Sequence, residues 1–174
     1  ARNGRRGVKR PGVKGRGPVV LCTPPAGELA QQSGEVASKI ADVTGHVAVT
    51  VVGGVSYKPQ TAALKYGCDI LVATPGRLVD LIEQGACHLG EVKVLVLDEA
   101  DRMLDMGFLP AVRRIVRETP AERQTLLFSA TLAEEAVGEI TALVSHPARV
   151  EIAPPPPTPH TLHQFVSPAS LEAQ

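Results

Sequence analysis

Aromatic residues, paired cysteines and long apolar runs are all scarce in this sequence. It contains no Trp, two Tyr and three Phe, so a core must be built from Val, Leu, Ile and Ala, which suits an α/β sheet. The three cysteines are far apart and form no C-x-x-C pair, which argues against a disulfide framework or a zinc site. No apolar run reaches the length of a membrane span, and none follows the basic N-terminus as in a secretory signal. We therefore expect a reduced, cytoplasmic protein with no membrane segment.

The formal net charge of zero conceals an uneven distribution of charge. Residues 1–17 carry seven of the eighteen basic residues and no acid, which leaves eleven basic against eighteen acidic residues in the rest. This glycine-rich segment has too few apolar residues to fix a fold, so we predict a basic flexible segment. Such a segment could neutralise nucleic-acid phosphates, although a solubilising loop between two elements is the interpretation that we favour.

The most informative stretch is residues 94–108, where an apolar run turns abruptly into acids. Residues 94–97 are typical of a strand buried on both faces of a parallel sheet. Because ligands of such sheets lie beyond the carboxyl ends of the strands, Asp98 and Glu99 would face a bound nucleotide. One carboxylate there can hold Mg²⁺, usually through water, and the other can accept a proton from the attacking water. The alternative is a helix cap followed by a first-turn acid.

The longer string favours the catalytic interpretation. The tetrapeptide Asp-Glu-Ala-Asp at 98–101, followed by residues 103–108 (MLDMGF), resembles motif II of the DEAD-box RNA helicases. The resemblance implies ATP and Mg²⁺ as cofactors, with Asp98 holding the metal through water and Glu99 activating the water. It also implies that RNA is bound through its backbone without sequence specificity, and that the full-length protein has a second helicase domain.

A second segment resembles the family's motif III. Ser129-Ala130-Thr131 follows a predicted strand at 124–128. The resemblance implies that the hydroxyls of Ser129 and Thr131 hydrogen-bond to Asp101. These three residues would then border the nucleotide and couple its hydrolysis to movement of the RNA-binding surfaces.

Three further segments resemble the family's RNA-binding motifs. Residues 25–30 (PAGELA) are similar to motif Ia, usually Pro-Thr-Arg-Glu-Leu-Ala, but Ala26 and Gly27 replace the Thr and Arg that contact phosphates. The Gly-Gly pair at 53–54 resembles the family's glycine doublet, and residues 73–78 (ATPGRL) match motif Ib. The residues that the resemblance implies in RNA binding are Pro25, Glu28, Gly53, Gly54, Thr74, Pro75, Gly76 and Arg77.

Strands and helices alternate regularly along the chain. Strands are predicted at 18–23, 46–52, 69–73, 94–97, 124–128 and 148–152, and helices at 27–43, 58–66, 75–84, 108–118 and 132–145. In the first helix, the apolar spacing predicts a core face made of Leu29, Ala30, Val36, Ile40 and Ala41. Thr74 is a candidate cap and Pro75 a candidate first residue of the third helix. The alternation predicts a doubly wound, mainly parallel sheet, which the resemblance identifies as the P-loop NTPase fold of the first recombinase-A-like helicase domain.

No phosphate-binding loop of the form G-x-x-x-x-G-K-[S/T] occurs in the sequence. We therefore expect an N-terminally truncated helicase domain at 18–152, after the basic segment at 1–17. Residues 153–174 would be a proline-rich linker and the start of the second helicase domain.

Two functions are consistent with these features. The first is a fragment of an ATP-dependent RNA helicase that couples ATP hydrolysis to RNA binding and local unwinding, and that is inactive alone. The second is a degenerate module that hydrolyses nothing and binds RNA or a protein partner. A DNA helicase of the same superfamily is disfavoured by Asp101 and the Ser-Ala-Thr segment.

Overall fold

The computed structural model describes residues 14–152. The strands are β1 (Val20–Thr23), β2 (Ala48–Val51), β3 (Ile70–Ala73), β4 (Val94–Leu97) and β5 (Gln124–Leu127). The helices are α1 (Gly27–Thr44), α2 (Tyr57–Tyr66), α3 (Pro75–Glu83), α4 (Ala100–Asp105), α5 (Leu109–Glu118) and α6 (Glu134–Thr141). None of the helices in this part of the chain is long and apolar enough to cross a membrane.

All five strands are parallel and lie in the order β2-β3-β1-β4-β5. The chain moves from β1 to one edge of the sheet and then crosses back towards the other edge. Because crossovers between parallel strands are right-handed, this reversal puts α1 on one face and the later helices on the opposite face. The predicted doubly wound parallel sheet is confirmed, and its switch point lies at β1 and β4.

The helices pack in two unequal layers. The main core joins alternate strand residues such as Leu21, Leu71 and Leu95, all fully buried, to side chains of α2 through α6. A smaller cluster holds α1 against the other face, where Ala30 and Ala37 meet Val72. Among the described residues, α1 is the only helix on that face, so it covers β2 and β3 more than β4 and β5.

The predicted core face of α1 is confirmed at Ala30 and Ala41, which are buried, and is wrong at its large residues. Val36 and Ile40 are 57% and 52% exposed, whereas the buried stripe consists of small residues. The reason is the close approach of α1 to β2, since a Cβ on Gly34 would lie 2.1 Å from Thr50 Oγ1. The buried stripe comprises Ala30, Gly34, Ala37 and Ala41.

Four other sequence expectations need correction or fall outside the described residues. Residues 148–152 form no strand, and Val150 and Ile152 are largely exposed. Helix α4 was not predicted, since its six residues lie inside the acidic motif. The end of the basic segment contacts the folded body, where Arg16 Nε lies 3.5 Å from Glu91 Oε2. Residues 1–13 and the predicted linker at 153–174 lie outside the described part of the chain.

Candidate functional site

The acidic motif begins at the switch point of the sheet, directly after β4. The backbone N–H of Asp98 donates to the carbonyl of Thr23 at the end of β1, at 3.3 Å. Thr23 is fully buried and its hydroxyl donates to the carbonyl of Val96, at 3.1 Å. These bonds hold Asp98 at the carboxyl ends of two neighbouring strands, which is where ligands of open α/β sheets bind.

Glu99 has a strained backbone and an unpaired carboxylate oxygen. Its φ angle is 50°, in the left-handed region that residues other than glycine rarely adopt. Its N–H donates to Asp98 Oδ1 at 3.0 Å. Its Oε2 atom is buried without a hydrogen-bond partner among the described residues, which is costly for a carboxylate. Strain and an unmet acceptor together indicate a side chain held ready for a water or a ligand.

The Ser-Ala-Thr segment is joined to the acidic motif by backbone bonds. The N–H of Ala100 donates to the carbonyl of Phe128 at 2.9 Å, and the N–H of Phe128 donates to the carbonyl of Leu97 at 2.9 Å. The Ser129 hydroxyl accepts from the backbone N–H of Asp101 at 3.2 Å, not from its carboxylate. These bonds join the two motifs directly.

Thr131 does not bond to Asp101 in this part of the structure. Its hydroxyl accepts from the N–H of Ala133 at 3.2 Å, in a local turn before α6. The expected bond from both hydroxyls to Asp101 is thus found only for Ser129, and there it involves the backbone amide. The physical reason is that a threonine two residues before an amide is well placed to bond it locally.

A cleft of about 440 Å³ opens between the two motifs. Burial, and to a smaller extent the nearby charge of Asp98, raises the pKa of the Cys22 thiol to about 11. Cys22 is therefore uncharged at neutral pH. Within residues 14–152 no group of three His, Cys, Asp or Glu side chains is arranged to hold a metal. The cleft is lined by Asp98, Glu99, Asp101, Arg102, Phe128, Ser129 and Ala130.

The residues predicted to bind RNA follow the three strands on the other side of the switch point. Pro25 and Glu28 follow β1, the glycine doublet follows β2, and residues 74–77 follow β3. The order β2-β3-β1 places the carboxyl ends of these three strands side by side. A Cβ on Gly53 or Gly54 would meet no atom within 4 Å, so this turn faces open space.

The start of α3 leaves backbone N–H groups free for an anion. Thr74 occupies the N-cap position and Pro75 the first turn, as predicted, but the Thr74 hydroxyl forms no capping bond. Its backbone N–H donates to the carbonyl of Val51 at 3.1 Å, which ties α3 to β2. Unbonded N–H groups in the first turn of a helix attract phosphates.

Arg77 is turned into the protein. Arg77 is only 8% exposed. Its Nη1 and Nη2 atoms both donate to the carbonyl of Val55 at 3.0 Å. Nη1 also donates to Gln60 Oε1 at 3.0 Å. Sequence reasoning missed Gln60, although a polar residue four positions before the buried Leu64 on α2 is an available signal.

A family model for the DEAD/DEAH box helicases matches residues 8–140. The chain belongs to this family. It is 47% identical over 152 residues to the ATP-dependent RNA helicase RhlB of Pseudomonas putida. That alignment covers 86% of this chain and 38% of the relative. It is 53% identical over 114 residues to the DEAD-box ATP-dependent RNA helicase 5 of Oryza sativa subsp. japonica, which covers 66% of this chain and 22% of that protein.

The fold agrees with this membership. The crystal structure of the yeast DEAD-box splicing factor Prp28 matches with a TM-score of 0.69 and 34% identity. The match covers 77% of this chain and 33% of that chain. The DEAD/DEAH box chain described here therefore spans well under half the length of its relatives.

Proposed function

We propose that this chain is part of the first domain of an ATP-dependent RNA helicase. The observation that carries the proposal is the position of Glu99, which lines the cleft at the switch point and has a buried carboxylate oxygen without a hydrogen-bond partner among the described residues. The sequence similarity to helicases of the DEAD-box type supports the same conclusion. The parent protein would bind ATP and RNA and couple hydrolysis to local separation of RNA strands.

The carboxylates fit the acidic end of an ATP–Mg²⁺ site. Asp98 would hold the metal through water, because Mg²⁺ retains several waters and takes one or two protein carboxylates. When bound, the metal would offset the negative charge of the phosphates. Glu99 would accept a proton from the attacking water, and Asp101 and Ser129 would keep the two motifs together as the site changes shape.

The RNA surface would be the edge formed by the ends of β1, β2 and β3. The open glycine doublet permits close approach of an RNA backbone, and the start of α3 offers N–H groups to a phosphate. Ala26 and Gly27 supply neither a hydroxyl nor a guanidinium, so the contact beside α1 would be weaker than in relatives that have Thr and Arg. RNA would be gripped through its backbone, without sequence specificity.

A second candidate is a module that binds RNA without hydrolysing ATP. It is favoured by the substitutions at positions 26 and 27, which depart from the family's motif Ia. Positioning of the phosphates supplies most of the catalysis in phosphoryl transfer, so we expect no turnover by this chain alone.

The free thiols at positions 22, 68 and 87 support a reducing, cytoplasmic location.

The test is Glu99→Gln in the full-length parent protein. ATP binding should stay close to that of the parent, whereas RNA-stimulated hydrolysis should fall by about two to four orders of magnitude, because the general base is lost. A matched control is Glu122→Gln, an exposed residue in the turn before β5, which should leave both unchanged. Unaltered turnover in Glu99→Gln would remove Glu99 from the mechanism.

A further inference from the structure

Four side chains of α2 and α3 form a connected cluster that holds the residues on either side of the glycine doublet. They are Tyr57 and Gln60 from α2, and Arg77 and Asp80 from α3, and together they are called the loop clamp. The clamp holds a turn that contains two consecutive glycines, the second with a φ angle of 76°. A turn of this kind has unusual backbone freedom, so external contacts decide its conformation.

Gln60 holds the residue before the doublet. It is 7% exposed, and its Nε2 donates to the carbonyl of Val52 at 3.0 Å. Its Oε1 accepts from Arg77 Nη1 at 3.0 Å. Both ends of the amide are therefore used, one on the backbone of the turn and one on the next helix.

Arg77 holds the residue after the doublet, through the two bonds to the carbonyl of Val55 already described. Both acceptors of its bonds are uncharged, and within residues 14–152 it forms no salt bridge. Its positive charge is therefore not neutralised by a carboxylate and remains available to attract a phosphate approaching the turn.

Tyr57 and Asp80 keep the guanidinium in place. Arg77 Cζ lies 3.9 Å from the centre of the Tyr57 ring, a cation–π contact. The Tyr57 hydroxyl donates to Asp80 Oδ2 at 2.9 Å, which fixes the ring from the far side. That hydrogen bond also raises the pKa of Tyr57.

We propose that Gln60 and Arg77 are positioning residues, which fix the glycine doublet in the conformation that receives an RNA backbone, while Tyr57 and Asp80 hold Arg77. The proposal rests on the RNA-binding function proposed above. It deepens that function, because Gln60 acts on RNA affinity without touching RNA. Loss of the clamp would leave the glycines free, and ordering them would then oppose RNA binding.

The experiment is an NMR titration of the ¹⁵N-labelled chain with a short oligouridylate, following the amide signals of Gly53, Gly54 and Gly76. Gln60→Leu should keep its circular dichroism spectrum, broaden the Gly53 and Gly54 signals, and weaken RNA binding by about fivefold. Gln60→Glu retains an acceptor for Arg77 but removes the donor to the carbonyl of Val52, so it should not recover the affinity. Gln32→Leu, an exposed glutamine on α1, is the matched control and should bind as the unaltered chain does.

Tyr57→Leu provides a second variant in case Gln60→Leu does not fold. Because Tyr57 is 37% exposed, its replacement should be tolerated and should weaken binding in the same direction by a smaller factor. If a folded Gln60→Leu or Tyr57→Leu chain binds RNA with unchanged affinity and unchanged glycine signals, the proposal is wrong.

The two proposals can fail separately. If the unaltered chain shows no RNA-dependent shift at any of the three glycines, RNA binding at this surface is wrong. The clamp is then judged in the free chain by ¹⁵N relaxation at residues 53–55, because its hydrogen bonds are accepted by the carbonyls of Val52 and Val55 and are not donated by the amides of the turn. Larger backbone motion in Gln60→Leu would support the clamp, and equal motion would overturn it.

Discussion

The carboxyl ends of the strands form two regions, one at β2 and β3 and the other at β5. The two regions differ in how well the described residues cover them. Around the ends of β2 and β3, Gln60 and Arg77 are 7% and 8% exposed, and their polar atoms bond to the backbone of the neighbouring turn. Around the end of β5, the apolar side chains of Leu126 and Phe128 are 37% and 54% exposed. The first region is closed by its own contacts, whereas the second is open.

The difference indicates which function each half can perform. Parallel sheets are normally covered on both faces, yet within residues 14–152 the face that carries α1 has no helix over β4 and β5. The nucleotide half also holds the unpaired oxygen of Glu99. The half proposed to bind RNA is therefore held by contacts among the described residues, whereas the half proposed to bind the nucleotide is left open by them.

The largest expected effect comes from a matched pair of leucine truncations. Leu71→Ala on β3 should lower the free energy of unfolding by about 2–5 kcal/mol, because Leu71 is fully buried in the main core. Leu126→Ala on β5 should lower it by about 1 kcal/mol or less, because that side chain is already partly in water. Urea unfolding followed by circular dichroism measures both. Equal losses would mean that β5 is as well covered as β3.

A pair of glycine substitutions tests the close packing of α1. Gly34→Ala should lower the free energy of unfolding by about 1–3 kcal/mol, since the added Cβ would clash with Thr50 Oγ1. Gly138→Ala in α6 meets only the flexible end of Glu134, so it should be neutral or stabilising by about 0.5–1 kcal/mol. Thermal unfolding of the two variants gives the comparison, and a stabilised Gly34→Ala would contradict the packing of α1 described here.

Alkaline pH should destabilise the protein through its buried thiols. Burial raises the pKa of Cys68 and Cys87 from 9.0 to about 12. The folded chain thus keeps protons that the unfolded chain loses above pH 9.0, so stability should fall as pH rises past that value and should not change below it on their account. The expected slope is about 1.4 kcal/mol per pH unit for each thiol.

The measurement is urea unfolding between neutral pH and pH 10, with the Cys68→Ala chain alongside. That variant should have a shallower decline, because one of the titrating groups is gone. An identical pH profile in the two chains would show that Cys68 does not contribute.

The smallest expected effect is on RNA affinity and concerns the start of α1. The double substitution Ala26→Thr and Gly27→Arg should strengthen RNA binding by about fivefold, because it adds a hydroxyl and a guanidinium beside the RNA surface. A Cβ on Gly27 would lie 3.9 Å from Val52 Cβ, an ordinary contact, so the fold should accept it. Fluorescence anisotropy with a labelled oligouridylate measures the change.

Gly90→Arg is the matched control for this gain. Gly90 has open space around it and lies before β4, at the opposite edge of the sheet. The Gly90→Arg substitution adds the same charge away from the proposed RNA surface, so it should raise RNA affinity much less. An equal gain in the two variants would mean that net charge, not position, determines binding.

The sequence was sufficient to predict the five strands of the sheet, because each is a short apolar run followed by glycine, proline or a polar residue. It was not sufficient for residues 148–152, whose alternating pattern has no partner strand within the described residues. The buried face of α1 was also predicted incorrectly at its large residues. Apolar spacing indicated the large residues Val36 and Ile40, while the packing distance to β2 selected the small ones.

The candidate site divides in the same way. The motifs located Asp98, Glu99 and Ser129 correctly at strand ends, since a strand end is a local feature. The left-handed backbone of Glu99 and the inward direction of Arg77 depend on contacts between distant segments, which spacing along the chain does not encode.

The most direct test of the contrast between the two halves is RNA-stimulated ATP hydrolysis by the purified chain, once circular dichroism shows that it is folded. Asp98→Asn is the control, because it removes the charge proposed to hold Mg²⁺ with little change in size. We predict that hydrolysis by the unaltered chain does not exceed that of Asp98→Asn. RNA-dependent turnover that disappears in Asp98→Asn would contradict the account, since the nucleotide half would then be complete.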